Sequence, residues 1–446
     1  MNAFSVAPLV LLSLLPFACS AGSGVNEDPA ETEGDSAVAD SGTLADGGSV
    51  ETGVAEGDAS NGIQDAGTVD TGPQETGVVT GDAGNTTLGQ PGVWTNVTPA
   101  AISLNPAAFN NDNFGINDVL ADPARPSDFY AFTCHQGVWK STDYGQSWTK
   151  INTGSNGSEL DKAKLWTAAI DPDRTRNPNT PPTLWTAAGN RAAGVWRSTD
   201  GGVSWTSYLT NNSTAVAGCF NNNYYANDLY SLDVDPYDKN HLIGGFHGCP
   251  GISESTNGGV SWTTVNVVAN MGSSIYPFFV NTGNAATTRT TWVTQPDEGS
   301  AAISMFRTDN GGATWTNVLS GAHHAHGSAQ FHQTGNGTIY APAYSKQGIF
   351  RSLDFGITWT QVSNVQANNI IGTPSTLYGF SSYAAGGNIP VRAQRAAPGA
   401  GTVWTTANTP AGMTNGPKRS ATSFNGTQHV IVTGNWLAGI WRYVEP

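Results

Sequence analysis

Basic residues are missing from the first 124 positions of this 446-residue chain, Arg125 being the first. Cysteine and methionine are scarce at 4 each, charged residues make up only 12%, and no stretch sustains a helical repeat of apolar positions. Each shortage excludes something. A chain with no basic patch has no electrostatic footprint for nucleic acid. So few cysteines rule out a scaffold built on disulfides, and the missing 3.6-residue periodicity rules out a helix bundle. The longest apolar run, Val6 to Phe17, is too short to cross a bilayer as a stable helix. HExxH, a phosphate-cradling glycine loop and a convincing GxSxG unit are all absent, which removes the most recognisable hydrolase and nucleotide-binding signatures.

Acid is abundant in one place. Residues 20–90 hold 14 Asp and Glu, leaving 20 of the 34 acids against 19 bases elsewhere, so this segment supplies nearly all of the net charge of −15. Poor in aromatics and rich in Gly, Ala, Thr and Ser, it cannot bury enough surface to offset chain entropy and reads as a disordered, self-repelling tether. Before it, the apolar run ends in Ala18-Cys19-Ser20. That arrangement resembles a bacterial lipoprotein signal, from which it departs at Pro16, and the resemblance implies lipidation of Cys19 and anchoring at the cell envelope or cell surface. An ordinary secretory peptide cut nearby would export the chain equally. The expected organisation is therefore a signal over 1–19, a tether over 20–90 and a folded domain over 91–446.

The folded part is organised by one stretch, Gly194-Val195-Trp196-Arg197-Ser198-Thr199-Asp200-Gly201-Gly202-Val203-Ser204-Trp205. An apolar strand enters a polar turn whose glycines accept positive φ, and a second strand leaves at the tryptophan. The frame recurs with Asp143 and Trp148, Asn257 and Trp262, Asn310 and Trp315, and Asp354 and Trp359. Trp404 ends a degenerate sixth copy; Trp94-Thr95-Asn96 and Gly439-Ile440-Trp441-Arg442 look like the two halves of a seventh. Tryptophans 94, 148, 205, 262, 315, 359 and 404 fall 44 to 57 residues apart, the length of a four-stranded propeller blade. Between them, Asp-Pro at 122–123, 171–172 and 235–236 ends one strand of each interval and starts a turn. The reading is an all-β, seven-bladed propeller of four-stranded antiparallel blades, with the Trp94 strand pairing beside the Trp441 strand to close it.

The Ser-x-Asp-x-Gly-x-x-Trp frame resembles the Asp-box, or BNR, repeat of sialidases, sortilin-type receptors, photosystem assembly propellers and two-propeller xyloglucanases. The resemblance covers residues 92–446 and implies that Asp143, Asp200 and Asp354 are structural, away from the active face. It does not select one function. The Arg-Ile-Pro signature of sialidases is absent, and only one propeller fits here, whereas the xyloglucanase cleft lies between two.

In antiparallel blades the corners occupy one face, and the other is formed by the loops that enter each blade and join its second and third strands. That assigns His135, His247, His324 and His326, together with Tyr224, Tyr225 and Trp292, to the face opposite the corners as candidate ligand-binding residues. Imidazoles at 324 and 326 on an extended segment point the same way, and with His247 they could hold a divalent metal, as in some propeller polysaccharide lyases. The tyrosines and Trp292 offer ring faces to sugars, although aromatics also build propeller cores. Hydrolysis would need two carboxylates, for which Asp118, Asp228, Asp297 and Glu298 are candidates, with Asp112 on the same face. Cys219 and Cys249 are expected to pair, leaving Cys134 free and buried. The leading expectation is a monomeric, exported propeller that binds extracellular glycan. Its rivals are a polysaccharide hydrolase or metal-assisted lyase, and a scaffold for a surface protein.

Overall fold

The computed structural model describes residues 87–190, 194–209, 229–246, 251–268, 271–296, 304–323, 329–343, 348–381, 393–399 and 401–446. These form seven four-stranded antiparallel sheets, a seven-bladed β-propeller in which the described helices are single turns. Blade 1 runs Ile116–Ala121 (strand A, nearest the axis), Phe129–Thr133 (B), Val138–Ser141 (C) and Thr149–Lys150 (D). Blades 2 to 6 repeat that order along the chain. The seventh sheet takes Arg419–Phe424, His429–Asn435 and Gly439–Val444 from one end of the sequence and Trp94–Asn96 from the other, with Trp94 opposite Tyr443. Its inner strand lies against those of blades 6 and 1.

Unbroken apolar runs in the B strands follow from burial on both faces. In Phe129-Tyr130-Ala131-Phe132, side chains alternate: Phe129 and Ala131 pack with Val430, Val432 and Ile440 of blade 7, while Tyr130 and Phe132 pack with Leu165, Leu184 and Trp205 of blade 2. Period-two alternation therefore fills two inter-blade cores from one strand, and no face is left for polar residues.

Five of the corners brace themselves. The Ser or Thr hydroxyl at the entry of each accepts the amide of the glycine four residues on, at 2.8 Å for Ser141, 2.8 Å for Ser198, 2.9 Å for Ser255, 3.0 Å for Thr308 and 2.7 Å for Ser352. The Asp or Asn carbonyl-type oxygen accepts the amide four residues beyond itself, at 2.9 Å in all five. Trp205, Trp262 and Trp359 close the turn by donating their indole N–H to its glycine carbonyl. The paired positive-φ positions are Gly201 and Gly202 in blade 2, but Tyr144 and Phe355 take the first place in blades 1 and 5. In each Asp-Pro turn the aspartate accepts the amide two residues on, from Ala124, Asp173 and Tyr237, which is why strand A stops there. Neighbouring blades are also tied on this side by the pairs Asp122–Arg176, Asp171–Lys239 and Asp238–Arg289.

Candidate functional site

Opposite the corners, the chain approaching blade 1 is unusual. Phe109, Asn110 and Asn111 are three consecutive non-glycine residues with φ of 55°, 62° and 62°. Runs of this kind are costly for L-residues, and surrounding structure must hold them. Here Asn113 does so: its side-chain NH2 donates to the carbonyls of Ser103 (2.9 Å) and Asn105 (3.0 Å), and its oxygen accepts the Gly115 amide. Gly115 itself has to be glycine, because a Cβ would sit 2.3 Å from the Trp436 carbonyl oxygen. The turn leaves Phe109 41% exposed, with Asn110 and Asn111 exposed beside it.

Beneath that ring lies a charged cluster. His135, also at positive φ (59°) in the B-to-C loop, is held by its amide on the Ala163 carbonyl and lies 5.3 Å from Phe109, ring to ring. Its Nε2 is 3.0 Å from Asp112 Oδ2, and Lys164 of blade 2 pairs with Asp112 Oδ1. Asp112 keeps 33% of its side chain exposed, making it the accessible carboxylate of the cluster. Below, Phe114, Trp166, Tyr230 and Tyr276 follow one another edge to face at 5.4, 5.3 and 5.9 Å around the axis. Trp166 and Tyr230 sit at one position of successive inner strands, Ala163–Ile170 and Leu229–Asp235, and Tyr276 opens that of blade 4, Tyr276–Phe279. Buried Lys418 donates to the Trp166 carbonyl and stands 5.0 and 5.5 Å from the rings of Trp166 and Tyr230. Trp166, Tyr230 and Tyr276 are buried in this layer, while Phe109, Asn110 and Asn111 stay exposed and Asp112 partly so.

Two expectations need correction. Trp292 is fully buried, donates its indole N–H to the Arg289 carbonyl and packs against Phe279 and Trp315. As the first residue of its B strand it lies at the corner end of blade 4, where no ring face is free for a sugar. Asp118 is also 0% exposed. Its Oδ2 accepts the Ala168 amide at 2.8 Å and its Oδ1 lies 3.6 Å from Arg419 Nε, so it stitches inner strands together instead of facing substrate. Asp233 repeats the stitch on Phe279, and burial pushes its pKa up to about 6 against the opposing pull of that amide and of Arg419.

Of the other expected residues, His135 lies on the predicted face, and Cys134 is free and buried there, its thiol pushed up to about 12 by burial. Tyr224, Tyr225, Asp228, His247, Asp297, Glu298, His324, His326, Cys19, Cys219 and Cys249 lie outside the described residues. Among the described residues no group of three or more His, Cys, Asp or Glu is arranged to hold a metal ion.

No family model matches the chain. Among curated proteins, the xyloglucanase Xgh74A of Acetivibrio thermocellus is 30% identical over 83 residues, 16% of this chain and 10% of that protein. A xyloglucanase of a Paenibacillus species is 26% identical over 210 residues, 41% of this chain and 18% of that one. The solved GH74 enzyme of Niastella koreensis superposes with a TM-score of 0.54 at 17% identity, covering 78% of this chain and 53% of its own. At that identity the likeness shows the fold alone, and the chain spans about half of that enzyme and under a fifth of the two curated relatives.

The sequence reading missed Phe109, Lys164, Lys418 and the ring layer. One signal was available: Trp166 and Tyr230 each stand five residues before an Asp-Pro turn and directly after a leucine, so aligning the repeats marks an aromatic position on the axis. The left-handed turn carries no such mark, since Phe109-Asn110-Asn111 contains no glycine to announce it.

Proposed function

We propose that this chain is an exported carbohydrate-active propeller that holds a neutral polysaccharide on the rim opposite the corners and hydrolyses it there. The observation that carries this is the exposed Phe109 ring, held up by a strained turn between two asparagines and over the Asp112–His135–Lys164 cluster. An aromatic face flanked by amides and a carboxylate matches a sugar's apolar face and hydroxyls. The local identities to xyloglucanases support a β-glucan as the polymer. Asp112 is assigned as one of the two carboxylates that glycoside hydrolysis requires. The corners are read as Asp-boxes, and Cys19 as the lipid-bearing residue that tethers the propeller outside the cell.

Release of reducing ends from xyloglucan and other β-glucans tests the hydrolase, with Asp112→Asn expected to lower turnover at least 100-fold and Phe109→Ala to weaken substrate binding about 10-fold, about 1.4 kcal/mol. A second reading has its own support, because both Asp112 oxygens are already engaged by His135 and Lys164. Glycan binding without turnover in the unmodified chain would replace the hydrolase by a binding module. Silence in both assays would remove the carbohydrate reading.

A further inference from the structure

The sixth corner differs from the other five. Where they carry Ser or Thr and Asp or Asn, it has Ala397 and Gly399. Its backbone is held from the neighbouring blade: Tyr340 OH accepts the Gly399 amide at 2.8 Å, and Arg351 donates to the Gly399 carbonyl at 3.0 Å. Beside this corner a cavity of about 460 Å³ opens between the outer strands of blades 5 and 6, Thr360–Ser363 and Thr405–Ala407. A smaller one of about 250 Å³ shares Val403 and Thr405 with it, so the exposed Val403, at 72%, stands as a ridge between two hollows.

The lining of the larger cavity is uncharged, and apart from Val362, Val365 and Val403 it is polar or aromatic. It contains the amides of Gln361, Asn364 and Gln394, four hydroxyls, the Trp404 indole and no ionisable side chain. Its floor is built: buried Gln394 accepts the Ser363 hydroxyl at 2.6 Å and donates to the Val365 carbonyl at 3.1 Å, bridging the two blades. Trp404 Nε1 is buried with no hydrogen-bond partner among the described residues, as is Trp148 Nε1 in the first corner, whereas Trp205, Trp262 and Trp359 spend theirs on their own corners. Amides that both donate and accept, hydroxyls and an indole, without charge, suit a neutral polyol and disfavour an ion. The volume lies within the roughly 300–1,000 Å³ usual for small-ligand sites.

We infer that the groove between blades 5 and 6 is a second carbohydrate site, taking a neutral oligosaccharide away from the rim. It stands on these observations independently of the hydrolase reading. Calorimetric titration of the full chain with cellohexaose, in a Phe109→Ala background that weakens the rim about 10-fold, reads the groove through the change each groove variant makes. Residual binding is expected, weakened at least five-fold by Thr406→Arg, which puts a long charged side chain into the groove from an exposed position, and also by Trp404→Phe, which removes the indole N–H while keeping a ring. A hexamer of galacturonate should bind at least ten-fold more weakly. The inference falls if Phe109→Ala abolishes all binding, if both groove variants bind as their parent does, or if the charged hexamer binds equally well.

Discussion

The corners and the rim draw on overlapping residue types and assemble them in opposite ways. At a corner, Asp200 finds Ser198, Val203 and Ser204 within four residues of itself, and Trp205 reaches back three residues to Gly202. At the rim, Asp112 meets His135 from 23 positions away and Lys164 from the next blade, and Lys418 meets Trp166 across 252 positions. Local assembly yields a part that can be repeated around a ring with the same hydrogen bonds each time. Long-range assembly yields a part that occurs once, which is what recognition of a ligand needs.

The largest effect should come from removing a corner's indole. Trp205 is 1% exposed and wedged between blades 1 and 2, so Trp205→Ala should cost about 3–5 kcal/mol, read as a fall in the urea midpoint. Trp404, half-buried and in a corner held from outside, should cost clearly less when changed to Ala, by the same measurement. Equal losses would erase the distinction between self-braced and borrowed corners. The rim should respond the other way: Asp112→Asn, which keeps the side chain's shape beside the buried Lys164, should cost less stability than Trp205→Ala while lowering the proposed turnover.

That contrast also explains what could be read from the amino-acid order. Ser198, Asp200, Gly202 and Trp205 announce a turn because the side-chain bonds that brace it all close within eight residues, and their recurrence sets blade number and face. The seventh sheet was legible because Trp94 and Trp441 each carry half a corner. Trp292 misled because its strand position, the corner end of blade 4, depends on where a strand begins, and an apolar run does not state its own direction. Phe109 was invisible because its turn is imposed by Asn113 and Trp436, not by its own sequence.

Acidity separates the halves further. His241, fully buried in strand B of blade 3, lies between Asp235 (3.0 Å) and Glu254 (2.8 Å). Burial alone would lower its pKa, but the bonds to the two carboxylates more than offset this and the nearby Arg289 charge, leaving it above 6.5. A raised folded value means that the stabilisation is complete below pH 6.5 and fades as pH rises through the folded pKa. The unmodified chain should therefore lose melting temperature on going from pH 6 to pH 9, and His241→Gln should be less stable at pH 6 with a flatter profile. A slope unchanged by the substitution would place the titration elsewhere.

The smallest effect is the most direct check that corners are equivalent. Burial would raise the Asp200 pKa, yet the Ser204 amide, the Ser198 and Ser204 hydroxyls and the Val203 amide together bring it below 3.8. Such a depressed carboxylate stabilises the fold above its ordinary value and loses that contribution as pH falls through the folded one. Asn257 and Asn310 hold the same 2.9 Å bond without titrating. Asp200→Asn should thus cost less than about 1 kcal/mol at pH 7 and should make denaturation below pH 3.8 shallower, because of the three aspartates at this corner position only Asp143 and Asp354 would still protonate. A large loss at pH 7 would mean that the carboxylate's charge, and not the turn's hydrogen-bond geometry, holds a corner together, and the repeat would then be an electrostatic device whose asparagine copies are weak points in the ring.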